Sequence, residues 1–294
     1  MFYILDWSGF LFRAYYSLPK IVDKNNSESW AIFGFFRMLL KLLQSRPNNL
    51  IIVFDPGTRT KRQEEFKDYK KNRPQIEDEF KQQIPKIIDI LKRSNFDVEI
   101  VPEYEADDVI WSLVNVIKKY DKVVVVSSDK DLKQLIDDNV NFLEPKKMEY
   151  IDKVKFYQEK GFYPSALLLY LALLWDSSDN IPWVKWIWKK TAAEIVSKYP
   201  TVELLFQNLD SLPWKVKENL LKNKDLLERN IFLIKLKAID WFDFQKLKAK
   251  SDIKAINFDL LKNILINEYG FKSFDKIISK IKKELTSPTQ LGLF

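Results

Sequence analysis

Apolar residues along the chain fall into short runs separated by stretches with helical periodicity. Residues 2–6 form one run and end in Asp6; residues 50–54 form a second, rich in β-branched side chains, and lead directly into Asp55. Residues 98–101 read as a brief strand, 122–126 as a strongly apolar one and 140–143 as another. Between them, residues 31–43, 84–91 and 105–117 repeat apolar positions at the spacing of a helix face. Strands alternating with helices predict an α/β sheet, mostly parallel. Beyond about residue 155 the strand pattern stops, and 165–174, 190–199, 215–236 and 258–284 are helical in pattern. No Gly/Ser linker and no internal repeat separates the two parts, so they are expected to pack together.

Ligands of such sheets sit outside the carboxyl ends of the strands. Asp6 and Asp55 stand at two such ends, and Asp129 follows a third after two serines. One Asp after a strand is usually a turn residue or a helix cap. Three at separate strand ends, with no shared capping pattern, point instead to a site. Glu105, Asp107 and Asp108 open a helix, where acids suit the positive end of the dipole. Three acids in four residues repel one another and exceed what a cap needs. Asp129 with Asp131, and Asp176 with Asp179, add two more pairs. If the sheet gathers these carboxylates, they cannot all ionise without cations.

Composition narrows the chemistry. The chain has 294 residues, with no Cys and no His. That removes a disulfide framework, thiolate metal sites and the commonest general base. A metal here must be held by oxygen, which favours Mg²⁺ or Mn²⁺. A pair of such ions about 4 Å apart would activate water and stabilise the leaving oxygen of a phosphodiester. The net charge of +7 permits a polyanionic partner. No run reaches the roughly 18 apolar residues of a membrane span. The first residues lack the basic region of a signal peptide, so a cytoplasmic protein that does not engage a membrane is expected.

Several segments together resemble the 5′-nuclease family, which comprises the 5′→3′ exonuclease domain of bacterial DNA polymerase I and the flap endonucleases. They are Leu5–Tyr16, Val53–Asp55, Tyr69–Arg73, Glu105–Ile110, Ser128–Leu132 and Asp176–Pro182. The resemblance runs through nearly the whole chain. It implies a PIN-like, mostly parallel sheet flanked by helices over residues 1–173, with a helical arch at about 57–85. A helical DNA-binding subdomain with a helix-three-turn-helix would follow over 174–285, and a flexible tail over 286–294. It implies two divalent ions and cleavage of DNA flaps and RNA primers from the 5′ side. By the same resemblance Asp6, Asp55, Glu105 and Asp107 match the ligands of one metal. Asp129, Asp131 and Asp179 match the other, with Asp176 and Asp108 in support. Lys70 and Arg73 match the arch cations that act on the scissile phosphate. Arg13, Arg62, Trp183, Lys185, Trp186, Trp188, Lys189 and Lys190 are the expected DNA contacts, with a K⁺ at the hairpin turn. A monomer acting on 5′-flap, nicked and RNA–DNA primer duplexes is expected. Two other readings stay open at this point: a DNA-binding module without catalysis, and a PIN-type ribonuclease.

One feature departs from the family pattern. A hairpin grips a phosphate through backbone N–H groups because its turn carries almost no side chains. Here Trp183, Trp186 and Trp188 stand where the relatives have Gly, as do Trp7, Trp30, Trp111 and Trp175; Trp214 fits as an eighth. Gly occurs only 6 times in the chain, where average usage would give roughly 20. Repeated replacement of the smallest residue by the largest is not drift. It fits a UGA codon that the source reads as Gly and that is rendered here as Trp; an engineered variant and a protein that stacks DNA on an aromatic surface are the alternatives. If the indoles are real, weak DNA binding, poor stability near Asp6, or both are expected. The chain ends Gln290-Leu291-Gly292-Leu293-Phe294, which resembles the peptide that docks in the bacterial sliding clamp. Leu291, Leu293 and Phe294 would be its apolar anchors and Gln290 its polar one.

Overall fold

A computed structural model describes residues 1–11, 21–24, 26–58, 60–66, 69–71, 77–174, 182 and 184–286, without the side chains of Glu65 and Thr286. Arg13, Arg73, Asp176, Asp179, Trp175, Trp183 and residues 290–294 therefore lie outside the described residues.

The apolar runs become strands β1 (Phe2–Asp6), β2 (Asn49–Phe54), β3 (Asp97–Ile100), β4 (Val123–Val126), β5 (Val140–Glu144) and β6 (Glu149–Ile151). They form one sheet in the order β3-β2-β1-β4-β5-β6. All neighbours are parallel except β5 and β6. β1, β2 and β4 are buried along their whole length, which is why they read as continuous apolar runs rather than alternating ones. The order reverses between β1 and β4, and a crevice opens there at the carboxyl ends. The chain turns out of β1 through Gly9, whose hydrogen faces the β4 loop: a Cβ at that position would lie 2.6 Å from Ser128 Oγ. Only Gly lets the two loops approach this closely.

Helices Trp30–Leu43, Gln83–Arg93 and Ala106–Ile117 pack around the sheet, as their periodicity predicts. The expected helix over 215–236 is two helices, Trp214–Lys222 and Lys224–Ile234, with Asn223 in non-helical backbone between them. The expected 258–284 helix is likewise interrupted. A π-turn at Ile264–Glu268 and Gly270 in left-handed backbone (φ 80°) separate Phe258–Asn263 from Asp275–Thr286.

The helical half does not end as a separate lobe. Asn49 Nδ2 donates to the Lys248 carbonyl and to Ser251 Oγ, Leu50 N donates to the Ser251 carbonyl, and Ile253 N donates to the Asn48 carbonyl. Lys250 reaches Asp97 and Glu99 at 2.6 Å each. The chain thus returns to the amino end of β2, opposite the crevice. Asn230, fully buried, ties helix Lys224–Ile234 to the carbonyls of Ala172 and Pro182.

Candidate active site

Asp6 is 2 % exposed at the end of β1. Its Oδ1 accepts from Ser8 N at 2.9 Å, and its Oδ2 accepts from Ser8 Oγ at 2.9 Å and Ser127 Oγ at 2.6 Å. Ser127 Oγ in turn accepts from Asp129 N at 2.9 Å, and Asp129 Oδ1 accepts from Asp131 N at 2.8 Å. A single hydrogen-bonded chain therefore links the ends of β1 and β4. Burial pushes the Asp6 carboxyl up to about 6; the serine hydrogen bonds oppose this and the Asp129 charge adds to it.

Asp55 lies one residue beyond β2. Its Oδ1 accepts from Ala106 N at 2.9 Å, at the start of helix Ala106–Ile117, and its Oδ2 accepts from Trp7 Nε1 at 3.2 Å. Asp107 follows on the first turn of that helix. Burial pushes its carboxyl well above the usual range; Asp129, Asp6 and Glu105 push it further, and Lys70 opposes them. Glu105 is 4 % exposed. Burial acts to raise its pKa too, but Lys70 and Arg62 outweigh burial and hold it low. Lys70 Nζ lies 3.0 Å from Glu105 Oε1, and residue 70 adopts left-handed backbone (φ 58°). Asp131 lines a small cavity together with Glu105, Asp107, Tyr69 and Arg62.

The fold thus brings Asp6, Asp55, Glu105, Asp107, Asp129, Asp131 and Lys70 to one end of the sheet. Among the described residues, no three carboxylates converge tightly enough to form a metal cage as they stand. The donor set nevertheless fits hard divalent cations. It is all oxygen, and Asp6 and Asp107 are carboxylates whose charge the protein leaves undercompensated.

Two expectations are corrected. Arg62 does not face DNA: it is 2 % exposed and bound to Glu105 and Asp108. Burial disfavours its charge, but Asp108 and Glu105 outweigh that and raise its pKa. Asp108 offers no oxygen to a metal directly. Its two oxygens are taken by Arg62 and by Lys237 N on the far side of the helix. Sequence reasoning also missed Ser8 and Ser127, which hold Asp6. Their position immediately after strand ends was the available signal.

Lys185, Trp186, Trp188, Lys189 and Lys190 are all exposed at the start of helix Lys189–Lys198. Trp186 has φ 65°, in the region that favours Gly, with its indole 69 % exposed. The turn expected to hold K⁺ lies partly outside the described residues. Near Asp6, Trp7 is buried and stacks on Phe54 at 5.3 Å between ring centroids. Trp30 likewise stacks on Phe80 at 5.5 Å.

A doubly wound sheet that gathers acids at its switch point, in a chain that also exposes Lys185, Lys189 and Lys190, is the frame of a hydrolytic nuclease. Residues 1–161 match the family model of the 5′-3′ exonuclease N-terminal resolvase-like domain, and residues 162–253 match that of the 5′-3′ exonuclease C-terminal SAM fold. The chain belongs to the 5′-3′ exonuclease family. It is 36% identical to the 5′-3′ exonuclease of Aquifex aeolicus over 96% of both chains. It is also 36% identical to DNA polymerase I of Caldicellulosiruptor bescii, over 76% of this chain and 27% of that protein. Among solved structures, a bacteriophage T5 protein co-crystallised with metal ions superposes with a TM-score of 0.68 at 20% identity, covering 97% of each chain. Flap endonuclease-1 from Methanococcus jannaschii superposes at 0.61 and 16% identity, covering 97% of this chain and 92% of that one. The sheet flanked by helices is therefore the flap-endonuclease fold.

Among the described residues, no helix is long and apolar enough to cross a membrane.

Proposed function

We propose that this protein is a structure-specific 5′→3′ exonuclease and flap endonuclease that hydrolyses phosphodiester bonds in DNA flaps and RNA primers. The observation that carries the reading is the meeting of Asp6, Asp55, Glu105, Asp107 and Asp129 at the switch point of a sheet whose chain belongs to this family. The relatives matched along their full length are named 5′-3′ exonuclease, and a phage T5 flap endonuclease has been crystallised with DNA and metal ions.

In this reading Asp6, Asp55, Glu105 and Asp107 hold one divalent ion, Mg²⁺ or Mn²⁺, and Asp129, Asp131 and Asp179 hold the second, with Asp176 in support. Bound there, the ions would balance the carboxylate charge and supply Lewis acidity toward water and phosphate. The chain's own residues do the rest. Ser8 and Ser127 fix the Asp6 carboxylate, and the Asp129 amide locks Ser127 in turn. Lys70, already beside Glu105, brings a cation to the scissile phosphate, and Arg73 is proposed as its partner. The arch at about 57–85 admits the single-stranded 5′ end, and the helical half holds the duplex through the 185–190 edge. Gln290, Leu291, Leu293 and Phe294 are proposed to bind a sliding clamp.

The test is cleavage of a labelled 5′-flap duplex with Mg²⁺ and with EDTA. It uses two versions of the chain, one as given and one with Gly at positions 7, 30, 111, 175, 183, 186 and 188. Metal-dependent flap cleavage by either version supports the nuclease, and cleavage by the Gly version alone also supports the reassigned codon. Binding without cleavage by both would leave a DNA-binding module. A strong preference for matched RNA would favour a ribonuclease.

A further inference from the structure

We propose that Arg62 is a positioning residue: a buried clasp that aims Glu105 into the carboxylate centre and fastens the segment 235–239 of the helical half onto helix Ala106–Ile117. The proposal rests on the reading of Glu105 as a metal ligand.

The sequence places Arg62 in a run of charges, yet the local structure turns it inward. Thr60 caps the short helix Lys61–Glu65, and Gln63 reaches back to Thr60 N in a capping box. Lys61 N also donates to the Glu103 carbonyl, so the foot of the arch is strapped to the loop that precedes Glu105. The guanidinium then bridges three segments distant in sequence. Nη1 donates to Glu105 Oε2 and Asp108 Oδ2 at 2.8 Å each. Nη2 donates to Asp108 Oδ1 at 2.7 Å and to the Lys235 carbonyl at 2.9 Å.

The strap continues past Lys235 at alternate residues. Lys237 N donates to Asp108 Oδ1 at 2.7 Å, and Ile239 N donates to Ser112 Oγ at 3.0 Å. Ser112 Oγ itself donates to the Asp108 carbonyl, one turn back along the helix. Positions 108 and 112 therefore carry the strap on one face of helix Ala106–Ile117.

Two features separate this from a salt bridge that only stabilises. Burying ions carries a desolvation penalty that apolar residues of similar size avoid, so stability alone does not call for it. The division of oxygens at Glu105 is also specific. Arg62 and the Tyr69 hydroxyl donate to Oε2, while Oε1 accepts from Thr60 Oγ1 and pairs with Lys70 Nζ; Glu105, Arg62 and Tyr69 line one small cavity with Asp107 and Asp131. A planar fork can hold both carboxylates and a carbonyl in one geometry, which a Lys ammonium cannot reproduce. The clasp thus fixes the orientation of the Glu105 carboxylate at the cavity that Asp107 and Asp131 share, and it joins that orientation to the seating of the helical half.

The experiment is a calorimetric Mn²⁺ titration of the full chain without DNA, with thermal unfolding recorded on the same samples. The decisive variant is the double substitution Arg62→Met with Asp108→Leu, which removes both buried partners and leaves packed apolar groups. It should remain folded and bind Mn²⁺ roughly 10- to 100-fold more weakly, the usual cost of losing an outer partner of a metal ligand. Arg62→Lys should recover only part of that loss. A folded double variant with wild-type Mn²⁺ affinity would overturn the clasp. If the double variant does not fold, Arg62→Lys decides: unchanged Mn²⁺ affinity overturns the proposal, and weakened affinity upholds it. Glu105→Gln separates the two layers. If it leaves Mn²⁺ binding intact, the ligand reading fails and the clasp's aim fails with it; if it weakens binding while the double variant does not, only the clasp fails.

Discussion

Asp6 gives the prediction with the most structure behind it. Its carboxyl is raised from 3.8 to about 6, chiefly by burial. Below pH 3.8 the folded and unfolded states are both protonated, and no penalty exists. Between 3.8 and about 6 the unfolded chain ionises first, so stability falls as pH rises, and above 6 the penalty is complete. At about 1.4 kcal/mol per pH unit, that span corresponds to about 3 kcal/mol against the folded state at neutral pH. In Asp6→Asn the amide oxygen still accepts from Ser8 N, and the Ser8 and Ser127 hydroxyls must turn to accept from the new NH₂. That rearrangement costs about 1 kcal/mol. With divalent ions chelated, Asp6→Asn should therefore be about 2 kcal/mol more stable than the parent at pH 7.5, or about 3 °C in Tm for a chain of this size. It should be no more stable than the parent at pH 4. Urea unfolding in EDTA at several pH values is the assay. A variant advantage that does not grow between pH 4 and pH 7 would refute the reasoning. Adding Mg²⁺ should stabilise the parent more than the variant, because the cation binds the ionised carboxylate.

Two further predictions concern single residues, one the tail and one the codon. Gly9→Ala puts a Cβ 2.6 Å from Ser128 Oγ and should displace the Ser127–Asp129 turn, lowering flap cleavage at least tenfold while the far-UV circular dichroism is retained; unchanged cleavage would show that the turn yields freely. Trp186→Gly removes an indole held at φ 65°, whose backbone costs about 1–2 kcal/mol in a non-Gly residue; fluorescence anisotropy on a nicked duplex should show tighter binding, and weaker binding would mean that the indole itself contacts DNA. Deleting residues 290–294 should abolish clamp binding in a pull-down and leave basal cleavage unchanged, and retained clamp binding would reject the tail as the docking peptide. Intact mass of the protein from its native source tests the codon reading, since each Trp-to-Gly exchange lowers the mass by a fixed amount.

The sheet was largely legible in the sequence because β1, β2 and β4 are buried on both faces and so appear as unbroken apolar runs. β6 was not foreseen: Glu149-Tyr150-Ile151 is a short edge strand with one buried residue, too brief to show a period. The helices over 214–234 merged in the reading because Asn223 is a weak breaker, and only its backbone conformation shows the junction. At the site, Asp6, Asp55 and Asp129 were legible because strand ends converge in a parallel sheet. Arg62 and Asp108 were misread because charge alone does not say which way a side chain points. Two signals pointed inward. Thr60 and Gln63 form a capping box that fixes the helix carrying Arg62, and Glu105 and Asp108 lie three residues apart at a helix start, a pair that needs a cation between them. The partner segment at 235–239 carried no signal of its own, since it contributes backbone groups.

The return of the chain to the amino end of β2 bears on how the protein is made. Leu50 N finds its acceptor at Ser251, and Asn49 finds its partners at Lys248 and Ser251. At a translation rate of about 5–20 residues per second, those partners leave the ribosome roughly 10–40 s after β2 does. For that interval the nascent sheet has an unfilled margin at its β2 end, and Asp97 waits for Lys250. Interrupting synthesis near residue 240 would strand the sheet in that state, so a ribosome stalled there should present a nuclease half that proteases cut and chaperones hold. Release of some fifteen more residues would close it.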